Sequence, residues 1–363
     1  MLHQPLPEPI SKPPISRILI ISDAWLPQVN GVVRTLSMMV EQLRLKGLAV
    51  TVIGPDQFRN APCPTYPEIR LALFPGRRLV RLIDDYAPDA LHIATEGPLG
   101  WAARAYAKRR GLAFTSAYHT RFPEYLHART KVPIGISYAV LRRFHGAGSG
   151  IMVATKSLYD DLAARGFKNI RMWGRGVDLA QFSPASAERW PLARPIFAYV
   201  GRIAVEKNLR AFLDLDLPGS KLLVGDGPQR SKLEREYPHV HFAGARHGAS
   251  LAAAYAGADV FVFPSRTDTF GLVLLEALAC GVPIAAFPVM GPRDIAATAH
   301  EPIGALNEDL RQAALDAMTA DRDACRRHAE TYSWTACAEK FLANLVPMTS
   351  GAAHIQPLTS ADV

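Results

Sequence analysis

The chain has 363 residues, 49% of them hydrophobic and 20% charged, with 41 Lys and Arg against 33 Asp and Glu for a net charge of +8. That length suggests two domains, and half the residues being apolar gives enough material for two cores, which excludes a disordered chain. Cys63, Cys280, Cys325 and Cys337 form no C-x-x-C pair, so neither a disulfide framework nor a cysteine metal site is expected, and a reducing cytosol fits. No apolar run reaches the ~20 residues of a spanning helix, and the proline-rich MLHQPLPEPISKPP lacks the apolar core of a signal peptide.

After that tail, RILIIS reads as a short buried strand. The loop DAWLPQVNG, a helix from Val32 to Lys46 stopped at Gly47, and the strand AVTVIG follow. This is a βαβ start without G-x-G-x-x-G after the first strand, which disfavours a nicotinamide enzyme. Gly31, at the loop-to-helix junction, is either an ordinary loop glycine or one that lets backbone N–H groups approach a phosphate or sugar. The strand DALHIAT, a helix from Leu99 to Arg110 and the strand LAFTSAYHT continue the alternation. His119 comes just after that last strand, where a lone histidine is more often structural. VPIGISYAVLRRF is a short apolar helix ending in Arg142 and Arg143, either a core helix or a face offered to lipid. SGIMVATKSLYDDLAARG completes the first domain, and roughly residues 172–195 have the Pro, Gly and aromatic content of a linker.

PIFAYVGRIAVEKN restarts the pattern with a strand, then Gly201, Arg202 and Lys207 at the turn into the next helix. Two cations at one helix N-terminus make a clamp for a diphosphate, each charge-assisted bond contributing about 1.5–3 kcal/mol. KLLVGDGPQRSKLE is another strand, turn and helix, in which Gly225 and Gly227 allow close approach to a nucleotide. Asp214-Leu215-Asp216 spells D-x-D, but its alternating leucines before Pro218-Gly219 read as packing rather than as a metal pair. The stretch FVFPSRTDTFGLVLLEALACGVPI, residues 261–284, then reads as strand, loop, helix and strand. Leu272, Leu275, Leu278 and Ala279 recur at helical spacing, and Gly281 sits at the C-cap. Such a unit delivers its loop and helix N-terminus to the carboxyl edge of a parallel sheet, where open α/β folds bind ligands. Asp268 is either an N-cap or a ligand-binding acid. Glu276 interrupts an apolar helix, where a carboxylate must find partners. Downstream, Gly291 lies at another strand-to-helix turn, and helices are expected over 308–320, 321–330 and YSWTACAEKFLANLV.

Asp268, seven residues and Glu276, with Phe270-Gly271 before the helix and G-x-P after it, resemble the signature of retaining GT-B glycosyltransferases of glycosyltransferase family 4. GRIAVEKN, YHTRFPEYL and RGVDLAQFSP are similar to further segments of that family, and the likeness, to bacterial glycolipid-forming members in particular, covers about residues 17–345. Two departures stand out: Asp268 takes a place that most members fill with glutamate, and Met290-Gly291-Pro292 replaces a paired glycine.

The resemblance implies an α/β fold of two Rossmann-like domains facing a central cleft. Their expected bounds are 17–175 and 195–330, joined by a linker over 176–194, with a helix over 331–348 crossing back to the first domain through Trp334 and flexible tails at 1–16 and 349–363. It also implies transfer of a hexosyl or hexuronosyl group from a nucleoside diphosphate sugar to an acceptor hydroxyl with retention of configuration. In that assignment Arg202 and Lys207 stabilise the leaving diphosphate, Asp268 positions the sugar hydroxyls, and Glu276 accepts bonds from the ribose. His119 and Gly31 complete the site from the first domain, while Gly201, Gly225, Gly227, Phe270, Gly271 and Leu272 line the donor. No metal or other cofactor is expected, because two cations can neutralise the diphosphate.

Charge is distributed unevenly. Residues 1–190 carry 25 Lys and Arg against 14 Asp and Glu, and the remainder 16 against 19. The basic residues cluster at Arg77, Arg78 and Arg81, at Lys108, Arg109 and Arg110, and from Arg121 through Arg129 and Lys131 to Arg142 and Arg143. Any one cluster also reads as a solvated face. Together they point to an anionic membrane surface, each Lys or Arg contributing about 1 kcal/mol, with a lipid such as diacylglycerol as acceptor. The expected placement is cytoplasmic, peripheral at the inner face of the membrane. A UDP-sugar donor is favoured over GDP-mannose, with no residue found to read the base. The alternatives are a GDP-mannose-dependent mannosyltransferase and a soluble or polysaccharide acceptor. Nucleic acid is not expected as a partner, because no aromatic-rich RNA motif or zinc finger accompanies the charge. A sugar-nucleotide epimerase and a non-catalytic lipid binder are the remaining rivals.

Overall fold

The computed structural model describes residues 15–349 apart from 29, 64 and 65, so the expected tails lie almost wholly outside the described residues. The first half runs β1 (Arg17–Ile21), α1 (Gly31–Leu45), β2 (Ala49–Ile53), β3 (Asn60–Cys63), β4 (Tyr66–Ala72), α2 (Gly76–Tyr86) and β5 (Ala90–Ile93). It continues with α3 (Pro98–Arg110), β6 (Thr115–Ala117), α4 (Phe122–Thr130), α5 (Ile134–His145), β7 (Gly150–Val153), α6 (Lys156–Ala164) and β8 (Ile170–Met172). The second half begins with β9 (Ile196–Val200), α7 (Arg210–Leu213), β10 (Ser220–Val224), α8 (Arg230–Glu236), β11 (His241–Gly244), α9 (Gly248–Ala256) and β12 (Val260–Phe263). It ends with α10 (Leu272–Ala279), β13 (Ile284–Ala286), α11 (Met290–Ala297), β14 (Gly304–Leu306), α12 (Leu310–Ala317), α13 (Arg322–Ala329) and α14 (Trp334–Asn344).

These strands form the two sheets that the alternating pattern implies. One has the order β2-β1-β5-β6-β7-β8, the other β11-β10-β9-β12-β13-β14, and every pairing within them is parallel. Helices cover both faces, which is why β1 and β9 are apolar without alternation. Ile18, Leu19, Ile20 and Ile21 are all fully buried, and each contributes about 1.5–3 kcal/mol by leaving water. The strand order reverses beside β1 in one sheet and beside β9 in the other, and the carboxyl ends at such switch points are where ligands bind.

Three features depart from the sequence pattern. The antiparallel pair β3–β4 and helix α2 stand between β2 and β5, where no element is expected. Only Leu79 and Ile83 of α2 are buried, so its helical period is faint under the arginines. After β9 there is no long helix: a 3-10 turn, Val205–Lys207, leads to the four residues of α7. Lys207 therefore acts from a tight turn rather than from a helix N-terminus.

Helix α14 packs against α1 through Trp334, Cys337, Ala338 and Phe341, which share a core with Leu36, Met39 and Trp173 of the first half. Lys46 pairs with Glu339 at 2.7 Å on the rim. The segment read as a linker is packed as well: Val177 and Phe182 are buried in the second-domain core. A Cβ at Gly176 would lie 2.5 Å from the Trp334 nitrogen, so only glycine lets the chain pass there.

Candidate active site

Loop 264–271 leaves the carboxyl end of β12 and carries Asp268 toward the turn after β9. Both Asp268 carboxylate oxygens accept from Lys207 Nζ, at 2.6 and 2.9 Å. Asn208, in the left-handed region at φ +54, donates to the Pro264 carbonyl at 3.1 Å and ties the two loops together. Burial pulls the Lys207 ammonium down, but Asp268, Tyr199 and Tyr125 outweigh it and hold the group above the ordinary lysine range. Lys207 is charged throughout the neutral range. Arg202 is half-buried on the same turn, and its carbonyl accepts from the Tyr199 hydroxyl at 2.9 Å.

The neighbouring glycines fix this wall by touching one another. A Cβ on Gly225 would meet the Gly201 carbonyl oxygen at 1.9 Å, and one on Gly227 the Ile203 carbonyl at 2.4 Å. The close approach their geometry enforces is of loop to loop. Gly271, at φ +86, is the residue before α10, with Phe270 buried ahead of it. Leu272 reaches into both the first-domain and the second-domain cores.

Glu276 is only 6% exposed. Its Oε2 accepts from the Tyr255 hydroxyl at 2.9 Å, and its Oε1 lies 3.3 Å from Arg34 Nε of α1. Burial raises the carboxyl, while Arg34 and Tyr255 pull it back. Gly31 opens α1 on the facing wall, and a Cβ there would be 4.0 Å from Leu272 Cδ1.

His119 follows β6 in the first domain, edge-on to Trp173 with ring centroids 5.7 Å apart. Arg175 Nη2 lies 3.2 Å from its Nδ1. A guanidinium can only donate, so Nδ1 accepts and Nε2 bears the hydrogen. Burial, then Arg175, holds the ring well below its usual range, so it is neutral. Nε2–H is buried with no hydrogen-bond partner. Thr269 Oγ1 donates to the His119 carbonyl at 2.7 Å and Tyr125 bonds Thr267 at 3.1 Å, so the loop bearing Asp268 is held against the first domain. Asp214 of the D-x-D accepts from the Tyr237 hydroxyl, and among the described residues no three His, Cys, Asp or Glu side chains group to hold a metal ion.

Residues 29–181 match the family described as Glycosyltransferase Family 4, and residues 194–320 match Glycosyl transferases group 1. A GDP-mannose-dependent alpha-mannosyltransferase of Mycobacterium tuberculosis is 30% identical over 90% of this chain and 95% of its own length. The chain belongs to glycosyltransferase family 4. The alpha-monoglucosyldiacylglycerol synthase of Acholeplasma laidlawii is 27% identical to this glycosyltransferase over 74% of the chain and 79% of that protein. Sucrose-phosphate synthase from Thermosynechococcus elongatus superposes with a TM-score of 0.73 at 21% identity, covering 90% of this chain and 97% of that one, which establishes the GT-B fold.

Arg34 and Tyr255 of the glycosyltransferase escape a reading by motif, and Arg175 opens the RGVDLAQFSP segment without being given a role by it. One signal for Arg34 was present: it sits in the first turn of α1, where the helix dipole disfavours a cation unless an anion faces it. Arg175 and Tyr255 carry no such mark, because each acts on a residue distant in sequence.

Proposed function

We propose that this family 4 glycosyltransferase moves mannose from GDP-mannose to a hydroxyl of a membrane lipid, with retention of configuration. The observation that carries the reading is the Lys207–Asp268 pair beside Arg202 at the β9 switch point, with Asp268 on a loop that Thr269 ties to the His119 carbonyl of the first domain. Lys207 and Arg202 balance charge on the leaving diphosphate. Asp268 accepts from the sugar hydroxyls, His119 Nε2–H donates to another, and Glu276 accepts from the ribose. The acceptor oxygen bonds to the anomeric carbon as the bond to phosphate breaks, and its proton passes to the departing phosphate oxygen on the same face.

Relatives named as GDP-mannose-dependent favour that donor over the UDP-sugar expected from sequence. The diacylglycerol-glucosylating relatives support a lipid acceptor and, together with the UDP-sugar expected from sequence, keep a UDP-linked glucosyl donor as the second reading. No helix among the described residues is long and apolar enough to cross a membrane, so lipid is met at its surface.

The test offers GDP-mannose and a set of UDP-sugars with extracted lipids and with soluble sugars, and follows products by mass spectrometry. A hexosylated lipid formed from GDP-mannose is expected. Transfer from UDP-sugars alone, transfer to soluble acceptors alone, or donor turnover that needs no acceptor would each overturn the proposal.

A further inference from the structure

We infer that Arg34, reaching across the cleft from α1, is a positioning residue for the donor: it keeps the Glu276 carboxylate ionised and aimed, so that both domains build the ribose contact. This rests on the reading above, in which Glu276 accepts from the donor's ribose.

The geometry is specific. Arg34 Nε approaches Glu276 Oε1 at 3.3 Å while Tyr255 holds Oε2, and the guanidinium lies over the Phe182 ring at 5.3 Å. Each carboxylate oxygen keeps a second lone pair for a hydroxyl. A buried carboxylate without a cation takes up a proton instead, and the acid then offers one acceptor fewer. The groups about Glu276 are Arg34 from α1, Tyr255 from α9, Cys280 just after its own helix and, beyond that cysteine, Arg326 and Arg322 from α13. Arg326 is engaged with Glu330 and the carbonyls of Leu179, Phe182 and Ala279. Among the described residues, the ion pair to Glu276 comes from Arg34. Its place in the first turn of α1 opposes the helix dipole, so packing and helix stability alone do not account for it.

The experiment measures donor KM and kcat from mildly acidic to mildly alkaline pH for the wild type, Arg34→Met, Arg34→Lys and Glu276→Gln. Arg34→Met is expected to raise donor KM about tenfold near neutrality, with kcat affected much less. Its KM is expected to climb on acidification from a higher pH than in the wild type, because Glu276 without its cation protonates earlier. Arg34→Lys restores most of the loss, and Glu276→Gln raises KM without that pH dependence. A curve for Arg34→Met that parallels the wild type, or a lysine variant no better than methionine, would overturn the inference. If Glu276→Gln leaves donor KM unchanged, the ribose assignment itself fails, and that result is distinguishable from the first. Thermal melting checks that each variant folds, with Arg34→Gln taking the place of methionine if it does not.

Discussion

Lys207 and Asp268 lie 2.6 Å apart, and that pairing sets what each can do in turnover. In the proposed reaction the ammonium, paired with the acid, would turn to the phosphate oxygens of the arriving donor. Replacing it with alanine removes a preorganised cation from the point where negative charge develops, so kcat should fall roughly 10²-fold with a smaller change in donor KM. Steady-state kinetics check this. A second variant separates the two roles: if Lys207 served only to balance Asp268, the Lys207→Ala/Asp268→Asn double variant would recover activity, and the expectation here is that it does not. Glu276 stood out in the sequence because it interrupts an apolar helix, and Arg202, Lys207 and Asp268 because they match motifs of the resembled family. Their bonds were not legible there, since Lys207 meets Asp268, and Glu276 meets Arg34, only through the tertiary fold.

At the scale of elements, β12, α10 and β13 were readable because an apolar strand, a helical stripe and Gly281 are local signals. The 3-10 turn bearing Lys207 was hidden, because a strand followed by charged residues carries the same pattern whether a long helix or a short one comes next. Gly291 shows a further limit. Its place at a strand-to-helix turn suits ligand contact, whereas in the fold a Cβ there would lie 2.3 Å from the Phe270 carbonyl oxygen. The glycine lets α11 start directly against the loop that presents Asp268. Gly291→Ala must displace backbone, since the atoms its Cβ would meet are all Phe270 main chain rather than a side chain that can rotate away. A shift of about 1 Å in that loop can cost about 10²-fold in rate, and overpacking typically costs about 1–3 kcal/mol in stability. The expected outcome is a fall in kcat with a melting temperature lowered by only a few degrees. Unchanged kcat would mean that α11 and the Asp268 loop are not coupled.

Over the whole molecule, the charge asymmetry between the halves becomes a spatial one. Helices α2, α3 and α5 pack on one side of the first sheet, their inner residues Leu79, Ala103 and Phe144 sharing one core. Arg77, Arg78, Arg81, Lys108, Arg109, Arg142 and Arg143 are therefore exposed on that same side, while the side chain of Arg129 lies outside the described residues. Arg110 belongs partly to the fold, paired with Asp84 at 2.6 Å. Apolar residues accompany the charge: Ile136 and Val140 are exposed along α5, and Phe74, just before α2, is 97% exposed in the left-handed region at φ +48. A bulky residue in that conformation costs about 1–2 kcal/mol, and an almost fully exposed aromatic ring recovers little of it within the chain. On the proposed reading a lipid interface would supply an apolar phase for Phe74 and anionic headgroups for the exposed arginines, at about 1 kcal/mol per cation. Co-sedimentation with anionic vesicles is therefore expected at low salt and is expected to weaken at high salt. Neutral phosphatidylcholine vesicles should retain far less protein. The triple variant Phe74→Ser/Arg77→Ala/Arg81→Ala, whose side chains point away from the core, should lose most vesicle binding while its kcat on a detergent-dispersed acceptor stays within a few-fold of wild type. Binding that survives both high salt and the triple substitution would move the docking surface to another face.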